Sequence, residues 1–145
     1  MSLRFQSVAA FALMVAGLVW LLIRHEVFAR NSVALAIQVL AILLMIAARL
    51  AFGMRSFHAA ANPTADGLVT SGPYRWIRHP IYAAVLYFTW ATALDHRTWE
   101  AIAAAVLVTI GAAARMYAEE RLLVGMYPEY VDYSARTARV IPFVL

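Results

Sequence analysis

Residues 5–23 read FQSVAAFALMVAGLVWLLI, nineteen positions without a charge. A helix needs about 20 apolar residues to cross a hydrocarbon core of roughly 30 Å, so this run has membrane length. Arg4 precedes it and Arg24-His25-Glu26 follows it. A secretory signal has a shorter apolar core and a small-residue cleavage site behind it. The run therefore reads as a retained membrane helix. Asn31–Ala48 is a second run of eighteen uncharged residues. Ile81–Leu94 and Ala101–Ala114 hold fourteen each, and at 1.5 Å per residue they reach about 21 Å before extension. Trp99 and Tyr117 bracket the fourth run as interfacial aromatics, with Glu100 and Arg115 close enough to its ends to snorkel. The linker Asp95–Thr98 makes runs three and four an antiparallel hairpin. No run carries a polar face, which weighs against buried helices of a soluble bundle. The expected fold is all-α and integral to the membrane, with four transmembrane helices.

Composition agrees. The 145 residues are 64% hydrophobic and 14% charged, with no cysteine. Soluble domains average about 25% charged residues. A water-soluble domain, a disordered chain, a disulfide-stapled domain and a thiolate metal site are all disfavoured. The length suits one domain, 1–145, opening with a helical hairpin over 5–52. The net charge is +4 and all twelve basic residues are arginines. They sit beside apolar segments, so lipid headgroups and topology account for them and nucleic acid does not. With the N-terminus inside, Arg4, Arg49, Arg55, Arg75, Arg78, Arg115, Arg121, Arg136 and Arg139 fall on the cytoplasmic side, and Arg24, Arg30 and Arg97 outside. Nine against three predicts both termini in the cytoplasm, in a plasma (inner) membrane. The polar stretches Gly53–His79 and Arg115–Leu145 then share the inner side. The small residues of the fourth run (Ala103, Ala104, Ala105, Gly111, Ala112, Ala113, Ala114) read as helix-packing positions. The oligomeric state is not legible.

Two constellations lie in the inner stretches. After the turn signals Asn62-Pro63 and Asp66-Gly67, residues 74–82 crowd Tyr74, Arg75, Trp76, Arg78, His79 and Tyr82 around Pro80. Pro80 drives His79 out of the helical region and suits a first helical turn, so His79 is placed at the cap of the third helix. An interfacial belt of Arg, Trp and Tyr and a ligand site both account for this stretch. The second constellation is Arg115-Met-Tyr-Ala-Glu119-Glu120-Arg121-Leu-Leu123, then Tyr127, Glu129, Tyr130, Asp132 and Tyr133, then Arg136, Arg139 and Pro142. Arg115 and Glu119 share a helix face at i, i+4. A helix emerging into water explains Arg121, Glu129 and Asp132 fully and Arg115 less well, since Arg115 directly follows an apolar run. His25, His58, His79 and His96 are scattered without ligand spacing, and no GxGxxG or P-loop is present.

Gly72-Pro-Tyr-Arg-Trp-Ile-Arg78-His79-Pro80-Ile-Tyr82, with Arg115-x-x-x-Glu119-Glu120, Tyr130-x-x-Tyr133 and Pro142, resembles the isoprenylcysteine carboxyl methyltransferase family. That family lies within a wider group of small membrane methyltransferases that includes phospholipid methyltransferases. The resemblance covers about residues 66–143, the expected cofactor-binding and catalytic region. It implies a membrane enzyme using S-adenosylmethionine from the cytosol, with the C-terminal segment folded over the cofactor pocket. Arg78, His79, Pro80 and Tyr82 would line the cofactor, with Glu120, Leu123 and Tyr130 opposite. Arg115 and Glu119 would be the catalytic pair at the lipid-facing substrate entrance. The chain departs from the family where Arg-Val-Pro-Arg becomes Arg136-Thr137-Ala138-Arg139, and it has fewer spans than eukaryotic members.

Methyl transfer to a carboxylate needs no general base, so positioning and electrostatics should dominate. Arg115 would hold the acceptor carboxylate, bidentate, and Glu119 would orient Arg115. Tyr74, Trp76 and Tyr82 offer aromatic faces to adenine or sulfonium, and Arg78 or the helix start offers a place for the cofactor's own carboxylate. The expected acceptor is lipophilic, a small molecule or a lipidated chain, such as a prenyl-cysteine-type carboxyl group. The alternatives are a membrane NADPH-dependent reductase of the sterol-reductase type and a non-enzymatic membrane partner with a degenerate pocket.

Overall fold

The computed structural model describes residues 3–53 and 67–142. Arg55, His58, Asn62-Pro63 and Asp66 lie outside the described residues, as does the side chain of Arg4. Among the described residues there are five α-helices: α1 (Leu3–Ile23), α2 (Ser32–Phe52), α3 (Pro80–His96), α4 (Trp99–Met126) and α5 (Tyr130–Arg136), with a 3₁₀ turn at Gly72–Arg75. No strand occurs among the described residues beyond an isolated parallel bridge between Ile77 and Ala138.

Each boundary has a local cause. Asn31 caps α2, its side chain accepting from Ala34 N at 2.9 Å, and Thr98 caps α4 by accepting from Ala101 N at 3.2 Å. Both satisfy an orphan amide of a first turn. Arg97 adopts a left-handed conformation at φ 56°, and the α3–α4 hairpin turns within Arg97–Thr98. Pro80 opens α3, as its fixed φ and missing N–H suit that position.

Three helices are long and apolar enough to cross a membrane: Phe5–Ile23, Ser32–Phe52 and Trp99–Met126. α3 has 17 residues, about 26 Å of rise. α4 runs for 28 residues, about 42 Å, so it outreaches a hydrocarbon core by about two turns. The fourth run thus continues unbroken through the first part of the second constellation, as far as Met126, because Arg, Met, Ala, Glu and Leu all favour helix.

The chief packing pairs are α1 with α4, α2 with α3, and α3 with α4. Although α1 and α2 are consecutive, each thus packs chiefly on a later helix. α1 and α4 meet closely at two glycines. A Cβ on Gly111 would stand 2.6 Å from Ala10 O, and one on Gly17 would stand 2.8 Å from Val108 Cγ2. Ala104, Ala105, Gly111 and Ala112 are buried at this contact, whereas Ala103, Ala113 and Ala114 face outward.

At the end bearing residues 24–31 and 95–100, polar side chains lock the loop. Gln38, 1% exposed, accepts from Ala29 N at 2.9 Å. It donates to Val27 O at 3.0 Å and to Thr92 Oγ1 at 2.8 Å. Thr98 Oγ1 donates to the buried Glu26 at 2.9 Å, and Asp95 accepts from Asn31 N at 3.3 Å.

Candidate active site

At the opposite end the segment before α3 and the tail after α4 bind each other through backbone. Arg78 N donates to Ala138 O at 2.8 Å, Ala138 N to Trp76 O at 3.0 Å, and His79 N to Arg139 O at 3.1 Å. The two polar stretches expected to share one side therefore meet. Tyr133 Oη adds a bond to Tyr74 O at 2.7 Å, and Tyr87 Oη donates to Val140 O. Ala138 stands where the resembled family has its tail proline. Its N–H makes a bond that proline cannot make, while Thr137 before it is extended (φ −124°, ψ 143°), the conformation a following proline would impose.

Glu120 is the hub of this junction. It accepts from Arg78 Nε at 2.9 Å, from Arg139 Nη2 at 2.9 Å and from Arg139 Nε at 3.1 Å, and lies 3.2 Å from His79 Nε2. Arg78 also donates to Ser134 O at 3.1 Å and to Thr137 O, so its guanidinium ties the tail to α4. The bonds to Glu120 push the Arg139 guanidinium pKa above its ordinary value. One residue earlier, Glu119 faces another way. It accepts from Tyr82 Oη and from Arg115 Nη2 at 3.2 Å, and its second oxygen is 3.8 Å from His79 Nδ1. Neighbours on a helix point about 100° apart, and His79 stands between the two carboxylates.

Arg115 corrects one expectation: it does not snorkel. It is 5% exposed, donates from Nε to Tyr82 Oη at 2.6 Å, and lies over the ring of Phe11 at 5.2 Å. The inward face of α4 carries it, between Gly111–Ala112 and Ala118. Trp76 corrects another. It is 54% exposed with Arg75 over its ring at 5.8 Å, and does not line the interior. Its aromatic face is unavailable to a ligand there.

These groups border a cavity of about 480 Å³, a size usual for small-molecule pockets, which run about 300–1,000 Å³. Arg78, His79, Tyr82, Arg115, Glu119, Leu123 and Tyr130 line it. Pro80 and Glu120 stand behind that wall; Pro80 is wholly buried. Several lining residues escaped the sequence reading of the site: Phe11 and Met14 of α1, Met45, Arg49 and Phe52 of α2, and Leu68 of the loop. Arg49 had a signal, as the charge that ends the second apolar run. Tyr127, Tyr130 and Tyr133 form a buried cluster with Leu68 and Leu123. Burial pushes the Tyr133 phenol up to about 12 and also raises Tyr74 and Tyr130 above their ordinary value, so all three stay neutral near pH 7. The Tyr130 hydroxyl is buried without a hydrogen-bond partner among the described residues. Such a group costs about 1–3 kcal/mol until something satisfies it.

The sequence profile of phospholipid methyltransferases matches residues 29–130. The chain belongs to that family. The matched span holds α2, α3, α4 and the first residue of α5. It includes every residue named above from the His-Pro and Glu-Glu elements, but not the tail that covers them. A nickel-cobalt-cadmium resistance protein, NccN, of Alcaligenes xylosoxydans xylosoxydans is 39% identical over 80 residues. Those residues are 52% of this chain and 36% of that protein, so the chain spans about a third of its relative. No solved structure matches. Membership of the phospholipid methyltransferase family, with three helices of membrane length and composition, makes this a membrane protein of a methyltransferase family.

Proposed function

We propose that the chain is an S-adenosylmethionine-dependent methyltransferase acting on a lipophilic acceptor that carries a carboxylate, such as a prenyl-cysteine-type carboxyl group. In this reading α1 to α4 all span the inner membrane, with both termini and the cavity on the cytoplasmic side. The observation that carries the reading is Arg115, a buried guanidinium on the cavity wall, held by Tyr82 and Glu119.

The residues present fit the cofactor. The cavity volume accommodates a nucleoside with an amino-acid arm, tyrosine faces line it, and the unpartnered Tyr130 hydroxyl offers a polar ligand edge a partner. When bound, S-adenosylmethionine supplies a methyl group on a sulfonium. His79, Leu123 and Tyr130 would hold it from the walls, while Arg78, Pro80 and Glu120 keep the tail closed over it. Arg115 would hold the acceptor, and the apolar residues of α1 and α2 would take its lipid part. Methyl transfer to the acceptor carboxylate would give a methyl ester and S-adenosylhomocysteine, so no residue of the chain would need to take a proton. An ammonium acceptor would first have to lose a proton. Glu119, already bound by Tyr82 and Arg115, is poorly suited to take it, which favours the carboxylate over the amine.

The test is titration of the purified full chain with S-adenosylhomocysteine and with NADPH, followed by a methyl-transfer screen over prenyl-cysteine, thiol and lipid-amine acceptors. Binding of S-adenosylhomocysteine alone and methylation of the carboxylate are expected. Preference for NADPH would favour a reductase, and binding of neither a degenerate pocket. Reporter fusions at Arg97 and Leu145 should report opposite sides of the membrane; the same side for both would end the four-span arrangement.

A further inference from the structure

The Tyr82 hydroxyl, on α3, lies between two charges of opposite sign on α4. It accepts from Arg115 Nε at 2.6 Å and donates to Glu119 Oε1, the oxygen that also accepts from Arg115 Nη2 at 3.2 Å. Three side chains thus close a ring of hydrogen bonds across the α3–α4 contact. Tyr82 is itself immobilised. It is buried against Met14 and Ala112, its ring lies 5.8 Å from that of His79, and the Arg115 guanidinium sits over it at 5.8 Å. An i, i+4 pair between arginine and glutamate leaves both long side chains several rotamers. A planar guanidinium held at Nε and at Nη2 has its plane and its direction fixed together.

We propose that Tyr82 is a positioning residue for methyl transfer, its hydroxyl setting the direction in which Arg115 faces the acceptor. This rests on the acceptor role of Arg115 proposed above. It assigns Tyr82 to the acceptor end of the cavity, where the family resemblance assigned it to the cofactor. Tyr82→Phe removes the bridge and keeps the ring, so the packing and the cation–π contact survive. Misplacing a reactant by about 1 Å can cost about a hundredfold in rate.

The experiment uses the full chain in lipid nanodiscs, labelled with ¹⁵N at arginine Nε. S-adenosylhomocysteine probes the cofactor site and N-acetyl-S-farnesylcysteine serves as the carboxylate probe. For Tyr82→Phe, S-adenosylhomocysteine affinity is expected within twofold of wild type. kcat should fall at least tenfold and KM for the probe should move less than threefold. Exchange of the Arg115 Nε proton should quicken at least tenfold. Added to Arg115→Lys, which has no fork to orient, Tyr82→Phe should cost less than a further twofold. A tenfold loss of S-adenosylhomocysteine affinity would return Tyr82 to the cofactor wall. Multiplying losses in the double variant, or unchanged Nε exchange, would overturn the positioning role. If wild type does not methylate the probe, the carboxylate reading fails, and Nε exchange still decides what Tyr82 does.

Discussion

α3 begins at His79 and Pro80 and ends at His96, and its two ends treat buried polar groups differently. At the His96 end, Gln38 and Thr92 bond to backbone and to each other, and Thr98 donates to Glu26. His96 Nε2 reaches Phe28 O at 2.9 Å, fixing the same loop. At the His79 end the charges are more numerous, and they surround space. Arg115 and Glu119 face the cavity, and the Tyr130 hydroxyl has no partner among the described residues. One fold thus uses burial in two ways. One network fastens a loop, whereas the other surrounds a cavity, which the proposed reading fills with cofactor and acceptor.

Changes at the two ends should separate accordingly. The largest effect is expected from Arg115→Ala, which should lower methyl transfer at least about a hundredfold while leaving S-adenosylhomocysteine affinity nearly intact. Arg115→Lys should recover only part of the rate, since an ammonium cannot form the fork. A parallel collapse of affinity would place Arg115 with the cofactor. Arg78→Ala comes next. It strips Glu120 of a partner and two tail carbonyls of their donor, so it should cost about 3 kcal/mol of stability. Protease cleavage within residues 127–139 should appear at the same time, and an uncleaved tail would show that Arg139 suffices to hold it.

The two histidines of α3 give the most direct contrast. His79→Ala should weaken S-adenosylhomocysteine about tenfold, the scale of one charge-assisted hydrogen bond, whereas His96→Ala should change it less than twofold. Equal affinities would erase the distinction between the ends. The smallest effect belongs to Tyr130→Phe. Removing an unpartnered hydroxyl should leave the melting temperature of the unliganded protein unchanged or higher. S-adenosylhomocysteine affinity should fall about fivefold, near 1 kcal/mol for a neutral hydrogen bond. A lower melting temperature with unaltered affinity would make the hydroxyl structural.

The first two helices were legible because an uncharged run of membrane length is its own signal, and His79-Pro80 marked the start of α3. The reach of α4 was not. A reading by charge stops at Ala114, while backbone propensity carries the helix on to Met126. The His-Pro and Glu-Glu elements were legible as a pair, though not their division of labour. Only their different directions from α4 send Glu119 to the cavity and Glu120 to the tail. An arginine after an apolar run fits snorkelling and burial equally well in sequence. Packing against Phe11 and Tyr82, contributed by two other helices, decides between them. Met45 and Phe52 were invisible as site residues because a membrane helix read alone has no inner face.

On α4 the buried stripe runs Ala101, Ala104, Ala105, Val108, Gly111, Ala112, Arg115, Ala118. The glycine contact that sets the distance to α1 and the guanidinium that faces the cavity are thus one turn apart on a single rigid shaft. Their phase is locked. Inserting or deleting one residue between Gly111 and Glu120 turns everything beyond it by about 100°. Arg115 or Glu119 would swing toward lipid and the tail would lose Glu120. A length change is therefore not tolerable in the two and a half turns where the gearing of the bundle and the aim of its charges are the same helix.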